Sequence, residues 1–193
     1  MPQLEFYFDF RSPYSYLALS QLPALGADIR YQPFDVLDVM GKVGNVPTSF
    51  TCKAKSRYLQ HDLRRWAMRY QLPISPNPGM SKMDVSAMLH AALAAIDAGT
   101  GEAAIRLLFK AVWASQDAIA NAGDIAAILS SGGLDPASLG PLGGSEAEAR
   151  LAAINSAAAE RGVFGAPTIF IGEQQFFGND RFEFIAEALE QQS

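Results

Sequence analysis

The sequence predicts an α/β fold in which a small sheet of βαβ…ββα order is interrupted by a large all-helical insertion. Three observations predict it. A strand–helix–strand pattern opens the chain, apolar residues at helical spacing fill its middle, and a hairpin followed by a helix closes it. The 193 residues suffice for such a domain and for a sizeable core. Residues 1–45 and 162–193 are expected to form the sheet domain, and 46–161 the insertion.

Leu4 to Asp9, LEFYFD, is aromatic-rich and reads as the first strand. Ser12 fits the N-cap of the next helix, with Pro13 at its first position, where a missing N–H costs nothing. That helix runs to about Gln21, ahead of Pro23. Asp28 to Asp35, DIRYQPFD, alternates and reads as a second strand, parallel to the first through the crossover helix. Val39 to Phe50 carries Gly41, Gly44, Asn45 and Pro47 and reads as a loop. Helical spacing then recurs three times: Leu59, Leu63, Trp66, Ala67 and Tyr70 within Lys53 to Gln71; Val85, Met88, Leu89, Ala92, Leu93 and Ile96; and Ile105, Leu108, Phe109, Val112 and Trp113. LPISPNPG, DAGTG and SSGGLDPASLGPLGG separate these pieces, and a last insertion helix covers roughly Ser145 to Arg161. Pro167 to Ile171 and Gln174 to Phe177 flank Gly172-Glu173 as a hairpin. Asn179-Asp180-Arg181 then opens a helix to about Leu189. This order, with a four-residue turn after the first strand, is that of a thioredoxin-like sheet.

Net charge is −5, which argues against a nucleic-acid or anionic-membrane surface. Cys52 is the only cysteine, so the chain has neither an intrachain disulfide nor a dithiol. The N-terminus MPQLEFYFDF lacks the basic and apolar regions of a signal peptide. No apolar run approaches the about 20 residues of a membrane span. A cytoplasmic protein is expected. No Cys/His cluster has metal spacing, no glycine-rich loop suits a phosphate, and no basic-aromatic platform suits RNA or DNA.

Three places could carry chemistry. Ser12 reads as a simple N-cap, or as a donor that faces a bound anion together with the helix N-terminus. It has no base nearby in sequence, so it is a poor nucleophile but a good hydrogen-bond donor, and a donor to a thiolate favours the charged form. Gly165-Ala166-Pro167-Thr168 reads as a proline at a strand start, or as a cis-proline loop that exposes the Ala166 backbone to an extended peptide. Gly178-Asn179-Asp180-Arg181 reads as ordinary capping, or as a helix N-terminus for a ligand carboxylate with Asp180 for an ammonium. A γ-glutamyl group has both charges. Lys53 and Lys55 read as a solvated helix start, His61-Asp62 with Arg64-Arg65 as a charged helix face, and His61 and His90 as structural or surface residues.

FYFDFRSPYSYLA, GNVP, YLQHDLRRWA, VFGAPTIF and FFGNDRFE together resemble the 2-hydroxychromene-2-carboxylate isomerases, relatives of the kappa-class glutathione transferases and the periplasmic disulfide oxidoreductases. The likeness spans nearly the whole chain and is loosest from about Pro73 to Gly144. It implies a thioredoxin-like fold with a helical insertion, glutathione as cofactor, a small aromatic substrate and a homodimer. It matches Ser12 to the serine at the glutathione sulfur, Ala166 and Pro167 to the loop that pairs with the cysteinyl part, and Phe177, Gly178, Asn179 and Asp180 to the γ-glutamyl end. Asn45 and Lys55 match an Asn and a Lys near the active site. The implied reaction is thiolate addition to an electron-poor carbon, rotation about the resulting single bond, and elimination that regenerates glutathione. A kappa-like transferase that consumes glutathione, and a non-catalytic glutathione-binding protein, are the alternatives.

The resemblance departs at the substrate. Naphthalene-pathway isomerases are expected to place a Lys, an Asn-Arg pair and a Tyr around the aromatic acid. Met40, Phe50-Thr51 and Met80 fall at those places here, with Lys42 two residues from Met40 as a possible replacement cation. The expected pocket is more apolar, and a buried carboxylate without partners is costly.

Overall fold

The structure is a computed structural model that describes residues 2–192, apart from the side chains of Ser49 and Phe50. Its sheet has the order β2-β1-β3-β4, formed by β1 (Gln3–Phe8), β2 (Asp28–Pro33), β3 (Thr168–Ile171) and β4 (Gln174–Phe177). β2 runs parallel to β1, as a crossover helix requires. β3 is antiparallel to both β1 and β4. Gly172, at φ 58°, makes the tight turn of the β3–β4 hairpin.

The period-two pattern of the strands divides the core into layers. Leu4, Phe6 and Phe8 of β1 and Ile169 and Ile171 of β3 face one way. Against them pack α1 (Pro13–Gln21), α5 (Val85–Asp97), α6 (Gly101–Trp113) and α9 (Phe182–Glu190). Tyr7 and Phe170 face the other way, onto α2 (Val36–Lys42) and α8 (Ser145–Glu160). Phe8, Phe10 and Phe109 form a column of ring contacts, with Phe10 and Phe109 4.7 Å apart, so the helices of the insertion and the sheet share one core. The buried Trp113 indole donates to Phe10 O at 2.9 Å and ties α6 to the end of β1.

The long amphipathic segment becomes α4 (Lys53–Tyr70), preceded by the short α3 (Thr48–Thr51). Leu63 and Ala67 of α4 pack on Leu17 of α1. Besides α3, which begins within the expected loop, two helices go beyond what the sequence predicts. α2 occupies the start of the expected loop, because Asp35 caps it and Val36 and Val39 are buried on the sheet. α7 (Ala122–Ser131) is capped by Asn121 and buries Ile125, Ile128 and Leu129. No helix among the described residues is long and apolar enough to cross a membrane.

Candidate functional site

The site assembles where β1 ends. Ser12 is extended, at φ −89° and ψ 111°, and caps α1 by accepting from Ser15 N at 3.2 Å. Its hydroxyl donates to Ala166 O at 2.9 Å across 154 residues of sequence. The Ala166–Pro167 bond is cis. Gly178 N donates to Pro167 O at 3.1 Å, which brings the end of β4 to the same loop. Asn45 Nδ2 donates to Phe164 O at 2.8 Å, two residues from Ala166. Ser12, Asn45, Ala166, Pro167, Phe177 and Gly178 are thus gathered by direct hydrogen bonds and chain continuity.

Neighbouring side chains brace this cluster. Tyr14 donates to Asp62 Oδ2 at 2.8 Å; burial first, then Asp62, holds its phenol well above the ordinary range. Tyr70 donates to Asn179 O at 3.0 Å. Asn179 is buried, and its Nδ2 has no hydrogen-bond partner among the described residues. Asp180 pairs with Arg181 at 2.6 Å. Neither Asn179 nor Asp180 caps α9, whose N-cap is Arg181 with no side-chain hydrogen bond; this corrects the capping alternative. Ser15, in the first turn of α1, has a buried hydroxyl with no hydrogen-bond partner among the described residues.

Phe164 and Phe177, each about two-fifths exposed, lie in tilted contact with ring centroids 4.7 Å apart. Such a pair open to solvent is unusual for side chains this large, and it borders Ala166. Phe164 is the residue of this pair that sequence reasoning missed: a phenylalanine in VFGAP carries no mark of exposure. Arg11 was missed too. It bridges Asp9, which is fully buried, and the partly exposed Asp35, at 2.5 Å each. Burial alone would lower its pKa, but the bonds and charges of these carboxylates outweigh burial and hold it above the ordinary value.

The expected substrate residues are less closely gathered. Met40 packs on the second core layer, and its carbonyl accepts from Asn45 N at 2.9 Å. Lys42 is paired with Asp38 at 2.8 Å, so a substrate carboxylate would have to compete with Asp38 for its charge. Thr51 is exposed, and the Phe50 side chain lies outside the described residues. Met80 packs on the main core, and among the described residues no hydrogen bond ties it to the Ser12 turn. Lys55 donates to the neutral Thr48 Oγ1 at 2.9 Å and forms no ion pair among the described residues. No group of three metal-ligating side chains occurs among the described residues.

Comparison with known proteins agrees with this fold. Residues 3–190 match the DSBA-like thioredoxin domain. The 2-hydroxychromene-2-carboxylate isomerase of Sphingobium xenophagum is 33% identical, over 96% of this chain and 97% of that protein. The enzyme of the same name from Pseudomonas sp. strain C18 is 36% identical, over 96% and 89%. Glutathione S-transferase kappa 1 of Caenorhabditis elegans is 29% identical, over 99% and 92%. A solved 2-hydroxychromene-2-carboxylate isomerase superimposes with a TM-score of 0.87 at 32% identity, covering 98% of this chain and 95% of the other. The cytosolic disulfide reductase DsbM of Pseudomonas aeruginosa, solved with GSH, shares the fold at a TM-score of 0.66 and 19% identity, covering 98% of each chain.

Proposed function

The chain belongs to the DSBA-like thioredoxin domain family and, within it, to the 2-hydroxychromene-2-carboxylate isomerase family, and from that premise we propose that it is a glutathione-dependent isomerase of an aromatic-ring-degradation intermediate of the 2-hydroxychromene-2-carboxylate type. The observation that carries the reading is the Ser12 hydroxyl at the N-terminus of α1, bonded to Ala166 O beside Pro167. The turn offers a donor for a sulfur and supplies no sulfur of its own.

The residues present fit glutathione. The buried Asn179 Nδ2 is a donor in want of an acceptor next to Gly178, and Lys55 carries a charge that no carboxylate of the described chain matches. When bound, glutathione supplies the nucleophilic sulfur that adds to the substrate and leaves again. The chain's own residues do the rest. Ser12 and the first N–H groups of α1 favour the thiolate over the thiol. Starting from a free thiol pKa of about 8.5, lowering by two units takes ~2.7 kcal/mol of preferential stabilisation, within reach of one hydroxyl and a helix N-terminus. Ala166 and Pro167 present backbone to the cysteinyl part. Phe177, Gly178, Asn179 and Asp180 hold the γ-glutamyl end, Asp180 exchanging Arg181 for the ligand ammonium. Asn45 and Lys55 flank the mouth, and Phe164 with Phe177 offers an aromatic face to the substrate ring.

The test is turnover of 2-hydroxychromene-2-carboxylate with and without glutathione, with free thiol counted throughout. We expect turnover to require glutathione and the thiol count to stay constant. Turnover without glutathione overturns the cofactor. Loss of one thiol per turnover establishes instead a kappa-like transferase, the second reading, which the likeness to glutathione S-transferase kappa 1 favours.

A further inference from the structure

Arg11 stands directly before Ser12, and the proposed reaction gives it no role. Its Nε donates to both oxygens of Asp9 at 3.0 and 3.2 Å, and its Nη2 reaches Asp9 and Asp35. The Asp9 carboxylate, fully buried at the end of β1, also accepts from Val36 N at 2.9 Å. Asp35 accepts from Leu37 N and Asp38 N at 2.9 and 3.1 Å. The first three N–H groups of α2 are therefore satisfied by two carboxylates that a single guanidinium binds.

α2 passes this placement on. Asn45, just past its end, is held to Met40 O and reaches Phe164 O. Ala166, two residues on, takes the Ser12 hydroxyl, and Ser12 N donates back to Asp9 O at 3.0 Å. The contacts close a ring from Arg11 through α2, Asn45, Phe164 and Ala166 to Ser12. We infer that Arg11 is a positioning residue: its fork on Asp9 and Asp35 fixes α2 and the Asn45 loop against the Ser12 turn, and so sets the width of the site. The ring itself is independent of what binds there; its effect on a thiol ligand rests on the proposed function.

Removing one partner of a buried ion pair destabilises a protein whatever else the pair does, so two gentler variants are needed. Arg11→Lys keeps the charge and loses the fork. Arg11→Gln with Asp9→Asn removes one charge of each sign. Hydrogen exchange on the full chain, with glutathione titrations alongside, decides the matter. In both variants we expect exchange at the hydrogen-bonded amides of 43–46, Thr48 and Gly178, the last bound to Pro167 O, to rise about tenfold while α7 is unchanged. We expect the KM for glutathione to rise about tenfold with a smaller change in kcat, the signature of lost positioning. The inference is overturned if only the first turn of α2 loosens, if the whole chain loosens uniformly, or if Arg11→Lys behaves as the parent. If the exchange pattern appears and the parent protein binds no glutathione, the positioning role stands and the cofactor reading fails.

Discussion

One hydroxyl proton serves two purposes at Ser12. In the structure it is donated to Ala166 O, while the Ser12 oxygen accepts from Ser15 N. Facing a thiolate, it must turn from the carbonyl to the sulfur. A bond to an ionised partner is about twice as strong as a neutral one, so the exchange is favourable once the anion is present. Ser12→Ala removes both the cap and the donor. It is expected to lower stability by about 1 kcal/mol and to leave glutathione binding largely intact, since the backbone contacts and the γ-glutamyl end remain. The bound thiol pKa should move back towards ~8.5. Thiolate absorbance titrated in parent and variant checks this; superimposable curves would remove Ser12 from the chemistry.

At the scale of elements, the hairpin and α2 show what was legible in the sequence. The four strands along the chain, the hairpin at Gly172-Glu173 and the helices that begin at Lys53, Val85, Gly101 and Ser145 follow from period and turn chemistry, which are local signals. α2 escaped because Gly41, Gly44 and Pro47 lie close behind it, while its cap is shared with Asp9 from another strand. α7 escaped because glycine-rich segments dominate its surroundings. For the site, Ser12, Asn45 and the 166–167 and 177–178 pairs were legible from motifs, and the structure brings them together. The exposure of Phe164 and the Arg11 bridge were not, because both depend on contacts between residues distant in the chain. Gly165 links hairpin and site: a Cβ there would lie 2.8 Å from Phe177 Cε2. Gly165→Ala should therefore displace the Phe177 ring, break its contact with Phe164 and lower stability by about 1–3 kcal/mol. The KM for the aromatic substrate should rise several-fold. Thermal unfolding and substrate titration check it, and an unchanged KM would show that the aromatic pair does not touch the substrate.

Across the whole molecule, burial raises the pKa of Tyr14, Tyr16, Tyr31 and Tyr70, with Tyr31 pushed up to about 12. The folded state then keeps protons that the unfolded chain releases near pH ~10. Their contribution to stability is whole below that pH and is lost as pH rises towards the folded values. Denaturant midpoints measured upward from pH 9 should fall, and Tyr31→Phe should flatten the decline; a midpoint that does not change with pH would contradict this burial. The charge distribution of the molecule also bears on its substrate. Arg11, Lys42, Arg161 and Arg181 are each matched by a carboxylate of the chain. Of the cations expected at the site, only Lys55 stays unmatched by a carboxylate, bound to a neutral hydroxyl. The Phe164–Phe177 pair bordering Ala166 is an apolar surface. If Lys55 serves the glutathione carboxylate, none of these cations is left for the carboxylate of a substrate, and burying that group unpaired is unfavourable. We therefore expect lower kcat/KM for 2-hydroxychromene-2-carboxylate than for a neutral ester of the same ring system, measured with glutathione saturating. Preference for the free carboxylate would contradict this, and Lys55→Met would then locate the charge. Loss of that preference, with glutathione affinity unchanged, would assign Lys55 to the substrate instead of the cofactor.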